Sequence, residues 1–232
     1  MSNLRFLVSS AFLSILLLGP AAAAVPAQQD KVYQLVFLQT GPKDGQLTEA
    51  ENKSVFTGHF SNINRLADER KLLVAGPFGA VRHQPDLRGL FILDTTQREE
   101  AQAWAGTDPS VIAGVFKLEF HDLSTAAALA PALERHFAKE KKAKQEGREL
   151  SMEETMRGYV WLLADRAKAR PLVEPLAAQK KVFLIGDLDA SQLLVLLDAA
   201  DAVKAREKFP QLLTALGDYQ LSEWYGSVEL AN

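Results

Sequence analysis

Cysteine is missing from all 232 residues. That rules out disulfide staples, a thiol nucleophile, thiolate metal ligands and the lipid-modified cysteine of an anchored lipoprotein. Histidine is scarce, with four residues, His59, His83, His121 and His136, and no two share a spacing such as H-x-x-x-H. The sequence therefore offers no paired-histidine metal site, and a metal is not expected. Neither a Gly-x-Gly-x-x-Gly loop nor a P-loop is present, so no nucleotide cofactor has a motif to rest on. Charge of one sign is also lacking. Lys and Arg number 26 against 29 Asp and Glu, a net charge of −3, with no basic stripe, and nucleic acid is not expected as a partner. The stretch Lys139, Lys141, Lys142 and Lys144 is interleaved with glutamate and reads as a solvated helix face.

One apolar run stands out, at the start. Residues 1–5 carry a positive charge, 6–18 are apolar, Gly19-Pro20 breaks the run, and Ala22-Ala23-Ala24 supplies small residues for cleavage. This pattern reads as a secretory signal peptide over residues 1–24, its apolar part too short for a comfortable membrane span. An uncleaved anchor is the competing reading. The expectation is a periplasmic or secreted protein with no membrane attachment after cleavage. About 200 residues remain, enough to bury a substantial core without disulfides.

Those residues repeat. Residues 32–122 read strand, helix, strand, strand, helix, strand, and residues 158–228 read in the same order. Thr48 with Glu51 three residues later forms a capping box that starts the first helix at about Glu49. In that helix Val55, Phe56, Phe60, Ile63, Leu66 and Ala67 recur at helical spacing, and on a 3.6-residue wheel they span roughly 140°. His59 falls inside the arc, facing the sheet. Thr96 with Glu99 suggests a second capping box, and Val115 to Phe120 reads as the fourth strand. Pro171 and Pro175 predict a short or kinked first helix in the second copy. Residues 123–157 form a connector whose first half is helical and whose second half is charged and solvated.

The order β-α-β-β-α-β is the ferredoxin-like arrangement, with both helices on one face of an antiparallel sheet. Each unit leaves its other sheet face bare. Packing the two sheets face to face within one chain covers both faces, which predicts an α+β intramolecular pseudo-dimer. The domains are then 32–122, the connector 123–157 and a second, degenerate unit 158–232. A monomer built this way and a homodimer of such chains are both compatible with the sequence.

The segments GHFSNINRLADERKLLVAGPF and GLFILDTTQREEAQAWAGTDPSVIAGVFKLEF resemble the YCII-related family. That family has a helix bearing a histidine, a strand ending in Ala-Gly-Pro, and a segment Ala-x-x-Trp-x-x-x-Asp-Pro-x-x-x-x-Gly. The matching residues here are His59, Ala75-Gly76-Pro77, and Ala101, Trp104, Asp108, Pro109 and Gly114. The resemblance covers about 90 residues of the first copy; the second matches only in element order and apolar pattern. It implies the dimeric α+β barrel fold and a His–Asp pair, His59 and Asp108, lining a small pocket as an acid–base site.

The residues themselves allow plainer roles. His59 could be a core histidine satisfied by a carbonyl, and Asp108 before Pro109 is a strong helix N-cap. Together they also make a catalytic pair. A carboxylate on one ring nitrogen fixes the tautomer, and the other nitrogen is free to move a proton without a cofactor. Gly76, Pro77 and Phe78 read as turn chemistry or as a substrate-binding wall, and Arg88 as an anchor for an anionic small molecule. Trp104 reads as core, while Trp161, Trp224 and Tyr225 of the second copy could close a pocket from the opposite sheet. Counting along the second copy places Ala169 near the His59 position and Leu212 at that of Asp108. Two hypotheses follow: an isomerase- or lyase-like enzyme for a small organic molecule, or a non-catalytic ligand-binding or structural module whose His–Asp pair is a buried latch.

Overall fold

The computed structural model describes residues 30–232, so the signal-peptide reading of residues 1–24 lies outside the described residues. The first repeat runs β1 (Lys31–Thr40), α1 (Glu49–Asp68), β2 (Leu72–Pro77), β3 (Leu87–Leu93), α2 (Arg98–Ala105), the single turn α3 (Pro109–Ile112) and β4 (Phe116–Thr125). The connector holds α4 (Ala130–Gln145) and the short α5 (Met152–Thr155). The second repeat is β5 (Met156–Asp165), α6 (Arg166–Ala178), β6 (Val182–Leu188), β7 (Gln192–Leu197), α7 (Ala202–Lys208), α8 (Pro210–Leu216) and β8 (Gln220–Ser227). A 3-10 turn, Val228–Ala231, follows.

The two four-stranded sheets do more than face each other. They join at their edges into one antiparallel sheet in the order β2-β3-β1-β4-β6-β7-β5-β8. At the first seam Leu123, Ser124 and Thr125 of β4 pair with Leu188, Asp187 and Gly186 of β6. At the second, β2 meets β8 through the bridge Phe78–Trp224, and the Gly79 amide donates to the Glu223 carbonyl at 2.8 Å. The sheet thus nearly closes into an eight-stranded barrel, the α+β pseudo-dimer expected from the repeat. Closure matters because an open edge would leave backbone donors and acceptors unpaired.

Strand alternation divides the core into three. Along β1, Tyr33, Leu35 and Phe37 face the barrel interior with Trp161, Leu163 and Trp224 of the second repeat. Val36 and Leu38 face outward, where Leu66, Ala101 and Ala105 of α1 and α2 cover them. The outer face of the second repeat is covered by α6, α7 and α8 through Ala169, Val173, Ala205 and Leu212. Because both faces of β1 are buried, its sequence reads as an apolar run interrupted by the buried Gln34 rather than as an alternation.

Several local expectations change. The Thr48–Glu51 capping box starts α1 at Glu49 as expected. The buried positions of α1 are His59, Asn62 and Leu66, however, and Phe60 is 61% exposed. The polar Asn62 hides the true centre of the stripe from a hydrophobicity count. The second helix begins at Arg98 after Gln97, without a side-chain cap from Thr96. Thr95 ties down the turn instead: its hydroxyl accepts from the Gln97 amide at 3.0 Å and donates to Glu100 at 2.6 Å. Strand β4 runs five residues past Phe120, because residues 121–125 pair with β1 and residues 123–125 pair also with β6. Helix α6 contains both Pro171 and Pro175 inside its 13 residues. Both prolines lie on its exposed side, where water can satisfy the carbonyls they leave unpaired. Trp161 and Trp224 are interior packing, and Tyr225 is half exposed.

Candidate functional site

His59 sits mid-way along α1, on the outer face of the first repeat. Gly58 beside it lets α3 come close, since a Cβ there would lie 2.8 Å from Pro109 Cγ. Asp108 is the N-cap of α3, with Pro109 at the first helical position. Its Oδ1 accepts from the Ser110 amide at 2.9 Å and from the Ser110 hydroxyl at 2.5 Å. Its Oδ2 lies 2.7 Å from His59 Nδ1. The capping role and the pairing role therefore coexist, one on each oxygen. Asp108 is completely buried and His59 is 7% exposed.

The imidazole stands among phenylalanines. Phe91 stacks on it at 6.2 Å, while Phe56, Phe60 and Phe116 meet it edge-on at 6.0, 5.3 and 5.7 Å. A carboxylate on Nδ1 favours the tautomer protonated there, leaving the Nε2 lone pair outward. Nε2 makes no hydrogen bond among the described residues, and it is not one of the fully enclosed polar atoms left without a partner. One ring nitrogen is fixed and the other is free.

Burial alone pushes the Asp108 carboxyl up, but the hydrogen bonds from His59 and Ser110 outweigh it and hold the group below the ordinary aspartate range. The native carboxyl then keeps its charge to lower pH than it does in the unfolded chain, where it titrates near pH ~3.9. The resulting stabilisation is complete above about pH 4 and disappears as pH falls through the native value. Urea unfolding at pH 5 and pH 3 should show a larger loss of stability in the wild type than in Asp108→Asn. Equal losses would show that Asp108 contributes nothing to the acid sensitivity.

The remaining candidates fall in two places. Arg88 shares the outer face: its guanidinium lies 5.9 Å from the Phe116 ring that also packs on His59, and it pairs with Asp44 at 2.9 Å. Gly76, Pro77 and Phe78 lie at the barrel seam, where a Cβ on Gly76 would fall 1.9 Å from the Tyr225 carbonyl oxygen. The structure brings His59 and Asp108 together and sets Gly76 to Phe78 against Trp224.

Two residues of the site escape a reading of the sequence. Ser110 holds Asp108 in place, and its signal is the Asp-Pro-Ser turn, in which the second helical residue faces the cap. Asn62, one turn along α1 from His59, is buried; its Oδ1 accepts from Arg65 at 2.8 Å and from Thr107 at 3.0 Å. That network ties α1 to the residue preceding Asp108.

Comparison with known proteins finds matches to the first repeat. The YCII-related domain matches residues 35–122, the segment that contains both His59 and Asp108. Protein YciI of Escherichia coli O6:H1 is 41% identical over 69 residues, which is 28% of this chain and 70% of that protein. Protein YciI of Shigella flexneri matches to the same extent. With the repeat order, the nearly closed α+β barrel and the His–Asp pair already in place, the chain belongs to the YCII-related family.

Proposed function

We propose that the first repeat is a proton-transfer site for a small organic molecule, with His59 the acid–base group and Asp108 its orienting carboxylate. The observation that supports this best is the asymmetry of the imidazole: Nδ1 is locked to a buried, doubly hydrogen-bonded carboxylate, and Nε2 has no protein partner among the described residues. In this reading Nε2 takes a proton from a carbon beside a carbonyl, leaving an enolate. The imidazolium, stabilised by Asp108, then returns that proton at another position or to a leaving group. The reaction is an isomerisation or a lyase step on a carbonyl-bearing or cyclic substrate. Arg88 would hold an anionic substituent beside Phe116. Gly76, Pro77 and Phe78 pack the seam and take no part. The signal-like residues 1–24 support a site of action in the periplasm or outside the cell.

A second reading has its own support. His59 is almost enclosed by four phenylalanine rings, as a latch between α1 and α3 would be. Two measurements separate the readings. Long-range 1H–15N spectra should show His59 protonated on Nδ1, and Asp108→Asn should redistribute the tautomers. Small ketones, keto acids and lactones in D2O, followed by NMR, should exchange protons beside the carbonyl with the wild type. His59→Gln should slow that exchange about 100-fold or more. No catalysed exchange across the panel, with the protein folded and its tautomer fixed, would establish the latch.

A further inference from the structure

Strand β2 is paired along only part of its outer edge. The antiparallel bridge Phe78–Trp224 sets a register that, carried three residues on, puts Ala75 opposite Ser227. There β8 ends and the chain turns into the 3-10 helix. Residues 72–74 consequently have β3 on one side and no strand among the described residues on the other. In the nearly closed barrel this is the interval of β2 that β8 is too short to reach.

The gap is roofed and not open. Helix α4, from the connector, lies over it and leaves a cleft of about 490 Å³ between α1, β2, α4 and the end of β8. That size is within the range of about 300–1,000 Å³ typical of small-ligand sites. Leu133 and Phe137 of α4, Ile63 of α1 and Leu230 of the 3-10 turn give it apolar walls. At its margins stand Asp68, where α1 ends, and Lys144, near the end of α4. Neither side chain has an ion-pair partner among the described residues. Helix α4 lies outside the stretch that matches the YCII-related domain, so the roof belongs to the tandem arrangement.

We propose that this cleft binds a short peptide with free termini, about three residues long, as an added strand against residues 72–74. An unpaired strand edge offers alternating backbone donors and acceptors, which an extended peptide satisfies and a simple amphiphile does not. Three extended residues span about 10 Å, matching the free interval of β2. Small apolar side chains fit the walls. The peptide carboxylate meets Lys144 and its ammonium meets Asp68, while Glu140, which also lines the cleft, lies 3.7 Å from His136. This site is separate from His59 and stands whether or not proton transfer occurs there.

The test uses the full mature chain and the tripeptide Ala-Val-Ala, followed by amide NMR and calorimetry. Expected are saturable binding with a Kd of about 1 mM or tighter and shifts centred on the amides of residues 72–74. Lys144→Glu, at an exposed position, should weaken the free-acid peptide by about threefold and leave the C-terminal amide of the same peptide unaffected. Octanoate, an amphiphile without a peptide backbone, should not displace it. The proposal is overturned by an absence of saturable binding, by indifference of the free-acid peptide to Lys144→Glu, or by octanoate competing on equal terms.

Discussion

Trp224→Ala should destabilise the protein by about 3–5 kcal/mol, the usual cost of emptying a fully buried tryptophan site. Trp224 is completely buried in the barrel interior, 5.6 Å from the Trp161 ring and 5.9 Å from that of Tyr159. It is also the residue through which β8 meets Phe78, just past the end of β2. The barrel leaves no space beside it: a Cβ on Gly226 would fall 2.0 Å from its ring, and one on Gly76 would fall 2.7 Å away. Surrounding strands held in two ladders cannot collapse far into the vacancy, so the loss belongs at the upper part of that range. Because the indole packs against residues of both repeats, the two halves should weaken together. In thermal unfolding followed by fluorescence of Trp104 in the first repeat and Trp161 in the second, both signals should shift down by about 10 °C or more. A loss confined to the second repeat, or below about 1 kcal/mol, would mean the interior is not one shared core.

The sequence carried the architecture further than it carried the site's surroundings. Repeat order and the bare sheet face of each unit were enough to require an internal pairing, because a one-sided sheet cannot stay uncovered. The edge-to-edge joining was not legible. It depends on β4 extending to Thr125 and on the loop after Phe78 meeting Glu223, pairings between residues far apart in the chain. His59 and Asp108 were legible through the family motif, and each had a plainer role on its own. The structure shows that for Asp108 the plainer role is also true, since it caps α3 while holding the imidazole. Asn62 was invisible because a hydrophobic-periodicity search discounts the polar residue at the centre of a buried stripe. The seam position of Gly76 to Phe78 was equally hidden: an Ala-Gly-Pro strand end looks the same beside a ligand as beside another strand.

The second repeat supplies a natural comparison for the pair. Ala169 in α6 and Leu212 in α8, the counterparts assigned to His59 and Asp108, are both buried in one apolar core. The same architecture thus holds together there without a polar pair. That predicts a strongly non-additive double-mutant cycle. Asp108→Leu alone removes the α3 cap, worth about 1 kcal/mol, and strands His59 Nδ1 and the Ser110 hydroxyl, for a total of about 3 kcal/mol. His59→Ala alone opens a cavity among four phenylalanines and leaves a buried carboxylate short of a partner, about 2–4 kcal/mol. In the double variant, His59→Ala with Asp108→Leu, the stranded groups are fewer, and the introduced leucine side chain can fill part of the vacancy. Urea unfolding should therefore show it less destabilised than the sum of the singles by about 1–3 kcal/mol. Simple additivity would mean that the 2.7 Å contact carries no coupling, and the orienting role of Asp108 would fall with it. A large coupling energy leaves a sharper conclusion. It would show that His59 and Asp108 act as one unit across the 2.7 Å contact, which is what the orienting role proposed for Asp108 requires.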